Sequence, residues 1–96
     1  MQNSEEIKLK INDNELKGHY ANQIAVIHSK YDFVLDFISM FPPEAIVNAR
    51  IITTPQSLLR MFNAIGQNIK KYEEKFGKIV IEEENFNMPE NTEKVN

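Results

Sequence analysis

Residues Thr53–Gly77 read TTPQSLLRMFNAIGQNIKKYEEKFG, and this stretch decides the fold. Thr54 has the short polar side chain favoured at a helix N-cap. Pro55 follows at the first helical position, where a missing N–H costs nothing. Gly77 suits the residue just past the C-terminus, and Lys75 complements the negative end of the helix dipole. Between these signals Leu58, Phe62, Ile65, Ile69, Tyr72 and Phe76 recur at steps of four, three, four, three and four. That spacing lays one narrow apolar stripe along a helix of roughly 33 Å. Leu59, Met61 and Ala64 widen it in the N-terminal half only.

Upstream, the periodicity changes from helical to alternating. Ile7, Leu9 and Ile11 alternate with Lys8 and Lys10, the pattern of a half-buried strand, and NDNE after them supplies turn residues. A second strand is expected from about His19 to His28 and a third from Tyr31 to Ile38. The odd positions of the third, Tyr31, Phe33, Leu35 and Phe37, are the stronger candidates for the core. Pro42-Pro43 cannot continue a ladder and ends it. A fourth strand runs from about Ala45 to Thr53, with Ala45, Val47, Ala49 and Ile51 on one face. After Gly77, KIVIEEE admits one last short strand. The fold class is therefore α+β: a four-stranded antiparallel meander followed by one long C-terminal helix.

The chain has 96 residues, 42% of them hydrophobic and 26% charged, and no cysteine. That is one domain of ordinary globular composition with no disulfide or thiolate metal site. Residues 1–6 form a flexible N-terminus, 7–81 a single α+β domain, and 82–96 an acidic tail expected to be disordered. The net charge is −3, and five glutamates and one lysine from Glu82 onward contribute −4 of it, leaving the folded part near neutral. A nucleic-acid partner is disfavoured by that balance. No apolar run reaches the roughly 20 residues of a membrane span, and no signal peptide is visible, so a cytoplasmic protein is expected.

Candidate chemistry is sparse. His19 and His28 have opposite parity on one strand and do not suit a shared metal. His28, Ser29 and Asp32 could be imagined as a nucleophilic arrangement, but a hydrogen-bonded turn is the simpler account. Asp32 and Asp36 are roughly 13 Å apart along a strand, too far for a glycosidase pair. Asp36 instead suits a structural salt bridge with Arg50 across the sheet. There is no phosphate loop, dinucleotide fingerprint or zinc-protease motif. Catalytic residues, cofactors and metals are accordingly none. Lys70, Lys71, Lys75 and Lys78 are interrupted by Glu73 and Glu74 and read as a solvated face.

The remaining signal concerns assembly. Four strands make a sheet roughly 19 Å wide, whereas a helix is about 10 Å across. Part of the sheet stays bare, and bare apolar surface marks an interface. The stripe is expected to begin on the chain's own sheet, over Leu58, Phe62 and Ile65. Gly66, Ile69, Tyr72 and Phe76 are the candidates for self-association, since a mid-helix glycine costs about 1 kcal/mol and a close backbone neighbour would account for it. A homo-oligomer, dimer or higher, is expected, with a protein or peptide as a further partner.

The segments GHYAN (Gly18–Asn22), HSKYDFVLDF (His28–Phe37) and PQSLLRMFNAIGQNIKKYEEKFG (Pro55–Gly77) resemble a family of small prokaryotic proteins catalogued as domain of unknown function 3467. The resemblance spans roughly residues 7–81 and implies no activity. The element order is also similar, at the level of fold only, to that of the export chaperone SecB, which implies a holdase for unfolded or extended peptides as an alternative function. A weak single-stranded nucleic-acid binder is a further alternative.

Overall fold

Three strands and one long helix follow one another in a computed structural model that describes residues 5–82. A single 3₁₀ turn, Asp13–Glu15, precedes β1 (Gln23–His28), β2 (Phe33–Phe41), β3 (Glu44–Thr53) and α1 (Pro55–Phe76). The strands form one antiparallel sheet in the order β1-β2-β3. The meander is therefore three-stranded among the described residues, not four-stranded. Ile7–Ile11 makes no ladder, and Leu9 is 98% exposed. The local reason lies in NDNE. Its backbone closes tight turns, with Glu15 N–H donating to Asn12 and Gly18 N–H to Glu15. That one-turn coil does not return the segment alongside β1, and a strand without a hydrogen-bonded neighbour is not stable. Residues 78–81 likewise add no strand. The acidic tail lies outside the described residues from 83 onward.

β1 is shorter than its apolar pattern suggests, because Asn22 takes over the pairing. Its backbone N–H donates to the Ile38 carbonyl, its side-chain Nδ2 donates to the Met40 carbonyl at 3.0 Å, and its Oδ1 accepts from Met40 N–H at 2.7 Å. The amide thus imitates one more residue of strand. β2 and β3 are joined by Pro42-Pro43, whose mutual peptide bond is cis, and the ladder runs up to Phe41 and Glu44.

The register places His28, Phe33 and Thr53 in one row, then Val26, Leu35 and Ile51, then Ile24, Phe37 and Ala49, all on one face. The other face carries Ile27, Val34 and Ile52, then Ala25, Asp36 and Arg50. A bulge at Phe37/Ile38 leaves Asn48 as the extra residue. Ile38 pairs with Val47 and Ser39 with Ile46, so the even-odd parity read along β3 reverses there. Val47 and Ala45 stand on the face opposite Ala49 and Ile51. Asn48 uses its position to donate to the Tyr20 carbonyl at 2.6 Å.

Among the described residues burial is confined to the central strand. Leu35, Asp36, Ile38 and Met40 are the buried residues, and three of the four lie on the even face rather than the aromatic odd face. β2 alone has a strand on each side.

α1 begins and ends as its signals specify. Thr54 Oγ1 accepts from Ser57 N–H at 3.1 Å, and Gly77, at φ 96°, donates its N–H to Glu73. The helix does not, however, cover its own sheet. None of its residues is buried, and only Ser57, Leu58 and Glu73 are half-buried. No packed interface joins α1 to a strand. The cause is the connection. β3 ends at Thr53 and α1 starts at Pro55, leaving one residue between them. A residue before proline is held extended, and Thr54 sits at φ −88°, ψ 159°. Chains that fold a helix back onto the sheet usually spend two to six residues on the reversal.

Candidate interaction surface

Asp36 and Arg50 stand opposite each other on β2 and β3, in the middle row of the even face. Arg50 Nε donates to Asp36 Oδ1 at 2.6 Å and Nη2 to Oδ2 at 2.8 Å, a two-pronged pair. The carboxylate is buried, while the guanidinium side chain is half exposed. The Arg50 pKa is raised above its usual value, first by the hydrogen bonds to Asp36 and then by its charge, with burial opposing. The pair anchors one strand to the next and presents no open reactive atom.

The other polar groups also close on themselves. Ser29 Oγ donates to Asp32 Oδ1 at 2.8 Å and accepts from the N–H groups of Tyr31 and Asp32. The His28 ring lies against Phe33, 5.4 Å between centroids, so His28, Ser29 and Asp32 form a turn rather than a relay. His19 meets Glu15 at 3.1 Å on the surface. Among the described residues no three His, Cys, Asp or Glu side chains come together as a metal site.

What the fold displays is apolar surface. The stripe residues Phe62, Ile65, Ile69, Tyr72 and Phe76 are all exposed along α1, Phe62 by 67%. Tyr72 and Phe76 lie against each other with ring centroids 5.1 Å apart, and Lys75 Nζ stands 5.3 Å from the Phe76 ring. Gly66 lies on the flank of the stripe, and a Cβ built there meets nothing within 4 Å. Nothing within the chain accounts for a glycine at that point. Past Gly77 the chain turns back over the helix, fastened by Ile79 N–H donating to Glu73 Oε2 at 3.0 Å. The result is an open depression of about 540 Å³ lined by Ala64, Ile65, Asn68, Ile69, Tyr72 and Ile79. It holds one polar side chain and no titratable group other than a tyrosine.

The sheet mirrors this. On its odd face Ile24, Val26 and Ile51 are each more than two-fifths exposed, and no carboxylate or ammonium stands in the three rows from His28 to Ala49; Glu44, opposite Phe41, lies at the far end of that face.

The sequence matches the model of one protein family over residues 1–81, and the family is described as a protein of unknown function (DUF3467). The chain belongs to this family. The DUF3467 match covers the sheet and α1, through to Ile81. No curated protein and no solved structure matches the chain. The likeness to SecB rested on four strands before the helix, and with three strands among the described residues that order is no longer shared.

The sequence pattern made the stripe, Gly66 and the Asp36–Arg50 pair visible. It did not reveal Asn22 and Asn48, whose roles depend on which backbone lies across the sheet. The signal that was available and decisive is the adjacency of a strand end to Thr54-Pro55.

Proposed function

We propose that this DUF3467 protein is a non-enzymatic interaction module that self-assembles, at least as a dimer. The observation that carries the reading is the bare stripe of α1 beside a sheet face on which Ile24, Val26 and Ile51 are exposed. A single chain with four buried residues among those described has little to hold it together. Assembly supplies the missing burial, as it commonly does for small domains without disulfides. Gly66, Ile69, Tyr72 and Phe76 take part in the contact. Catalysis is not part of the reading, because the polar side chains near one another are engaged with each other. Size-exclusion chromatography with light scattering tests it: a dimer or larger species is expected at micromolar concentration, and a monomer there refutes the proposal.

A further inference from the structure

We infer that the assembly is a reciprocal helix exchange, in which α1 of each copy lies across the odd face of the partner's sheet. This rests on the self-assembly reading and gives it a geometry.

Three observations carry it. First, the single-residue connection at Thr54 keeps α1 off its own sheet, so stripe and face are both left open in one chain. Second, the two surfaces match in size and chemistry. Three strands about 4.8 Å apart present a face roughly 14 Å wide, little more than the roughly 10–12 Å of a helix with its side chains. The stripe from Leu58 to Phe76 is about 27 Å long, enough to cross the roughly 20 Å of β1 and overhang at either end. The face offers Ile24, Val26, Leu35, Phe37 and Ile51 without a charge among them. Helical spacing turns Arg60, Gln67, Lys70 and Glu74 to the side of α1 away from the stripe, where they stay in water. The even face, by contrast, has the Asp36–Arg50 pair at its centre and would have to bury the half-exposed guanidinium. Third, each chain has one stripe and one such face. A two-fold exchange satisfies both and closes, whereas head-to-tail docking of the same surfaces leaves a free pair at each end.

The chain has no cysteine, so disulfide mapping reads contacts without background. One set of variants carries a single cysteine on the face (Val26→Cys or Ile51→Cys). A second carries one on the stripe (Phe62→Cys, Ile65→Cys or Ile69→Cys). Each face variant is mixed with each stripe variant, co-refolded and oxidised, and the reduced proteins are sized by light scattering. Exchange predicts a covalent heterodimer in at least one face-plus-stripe mixture, taking most of the dimeric protein, with little covalent product from any variant alone. Covalent dimers from stripe variants alone mean helix on helix and overturn the inference. Dimers from face variants alone mean sheet on sheet and overturn it equally, as does a non-covalent dimer in which no mixture cross-links. In those cases self-assembly stands. A monomer by light scattering removes both.

Discussion

Replacing Gly66 with alanine gives opposite results in a lone chain and in an assembly. In the lone chain nothing lies within 4 Å of the added Cβ, and Gly66 has no positive φ. Alanine is then a plain gain in helix propensity of about 1 kcal/mol. For a domain of this size that corresponds to a melting temperature higher by about 4–8 °C. If a partner's backbone lies against Gly66, the methyl group overpacks the contact at a cost of about 1–3 kcal/mol per site. Taking the middle of that range, the net loss is about 1 kcal/mol per chain and about 2 kcal/mol per dimer. The propensity gain is common to the folded free chain and the assembled one, so association loses the full overpacking cost, about 4 kcal/mol per dimer, and weakens roughly 1,000-fold. The assay is thermal unfolding followed by circular dichroism across a hundredfold range of protein concentration, with light scattering at each. We expect the Gly66→Ala protein to dissociate at higher concentration than the parent and to melt lower where both are assembled. A variant that melts higher at every concentration and keeps the parent's association refutes the role given to Gly66.

Three further outcomes follow from particular contacts. Arg50→Met leaves the buried Asp36 carboxylate without its guanidinium, so it is expected to lower the melting temperature more than the double change Asp36→Leu/Arg50→Met, which removes both charges. Because the Arg50 pKa is raised, its contribution is fully present below the unfolded value and is lost only as pH rises through the folded one. Melting should therefore show no loss from this group up to moderately alkaline pH. Asn22→Ala removes both side-chain bonds to Met40 and leaves that part-buried backbone unpaired, at a cost of about 1–3 kcal/mol in urea unfolding; Asn22→Asp, which keeps the acceptor, should cost less. Inserting four glycine and serine residues between Thr54 and Pro55 gives α1 the reach to fold back onto its own odd face. The expected result is a shift from dimer to monomer in light scattering, and an unchanged dimer would remove the short connection as the cause of exchange.

Much of the local structure was legible. Thr54, Pro55 and Gly77 mark the ends of α1 through their own backbone preferences, and the helix runs where they say. The alternation within β2 and β3 and the stop at Pro42-Pro43 are likewise properties of a few adjacent residues. Asp36 and Arg50 stand opposite each other only because of the bulge at Asn48, since the ladder that starts at Phe41 and Glu44 would otherwise set Asp36 opposite Ala49. A bulge adds one residue to one strand, and nothing in NARII requires it.

What the sequence by itself determined, then, is which segments become strand or helix and which residues of α1 form one apolar line. Only the tertiary structure decided what those elements meet. Ile7–Ile11 has the alternation of a strand and finds no neighbour, since pairing depends on where the Asn12–Gly18 turns send the chain. Asn22 holds Met40 because β2 passes beside it, eighteen residues further along. The stripe of α1 looks like the cover of its own sheet, yet one extended residue at Thr54 carries it clear. Periodicity records which side of a helix avoids water. It is the length and stiffness of the connection that determine whether the apolar surface to receive that side belongs to the same chain.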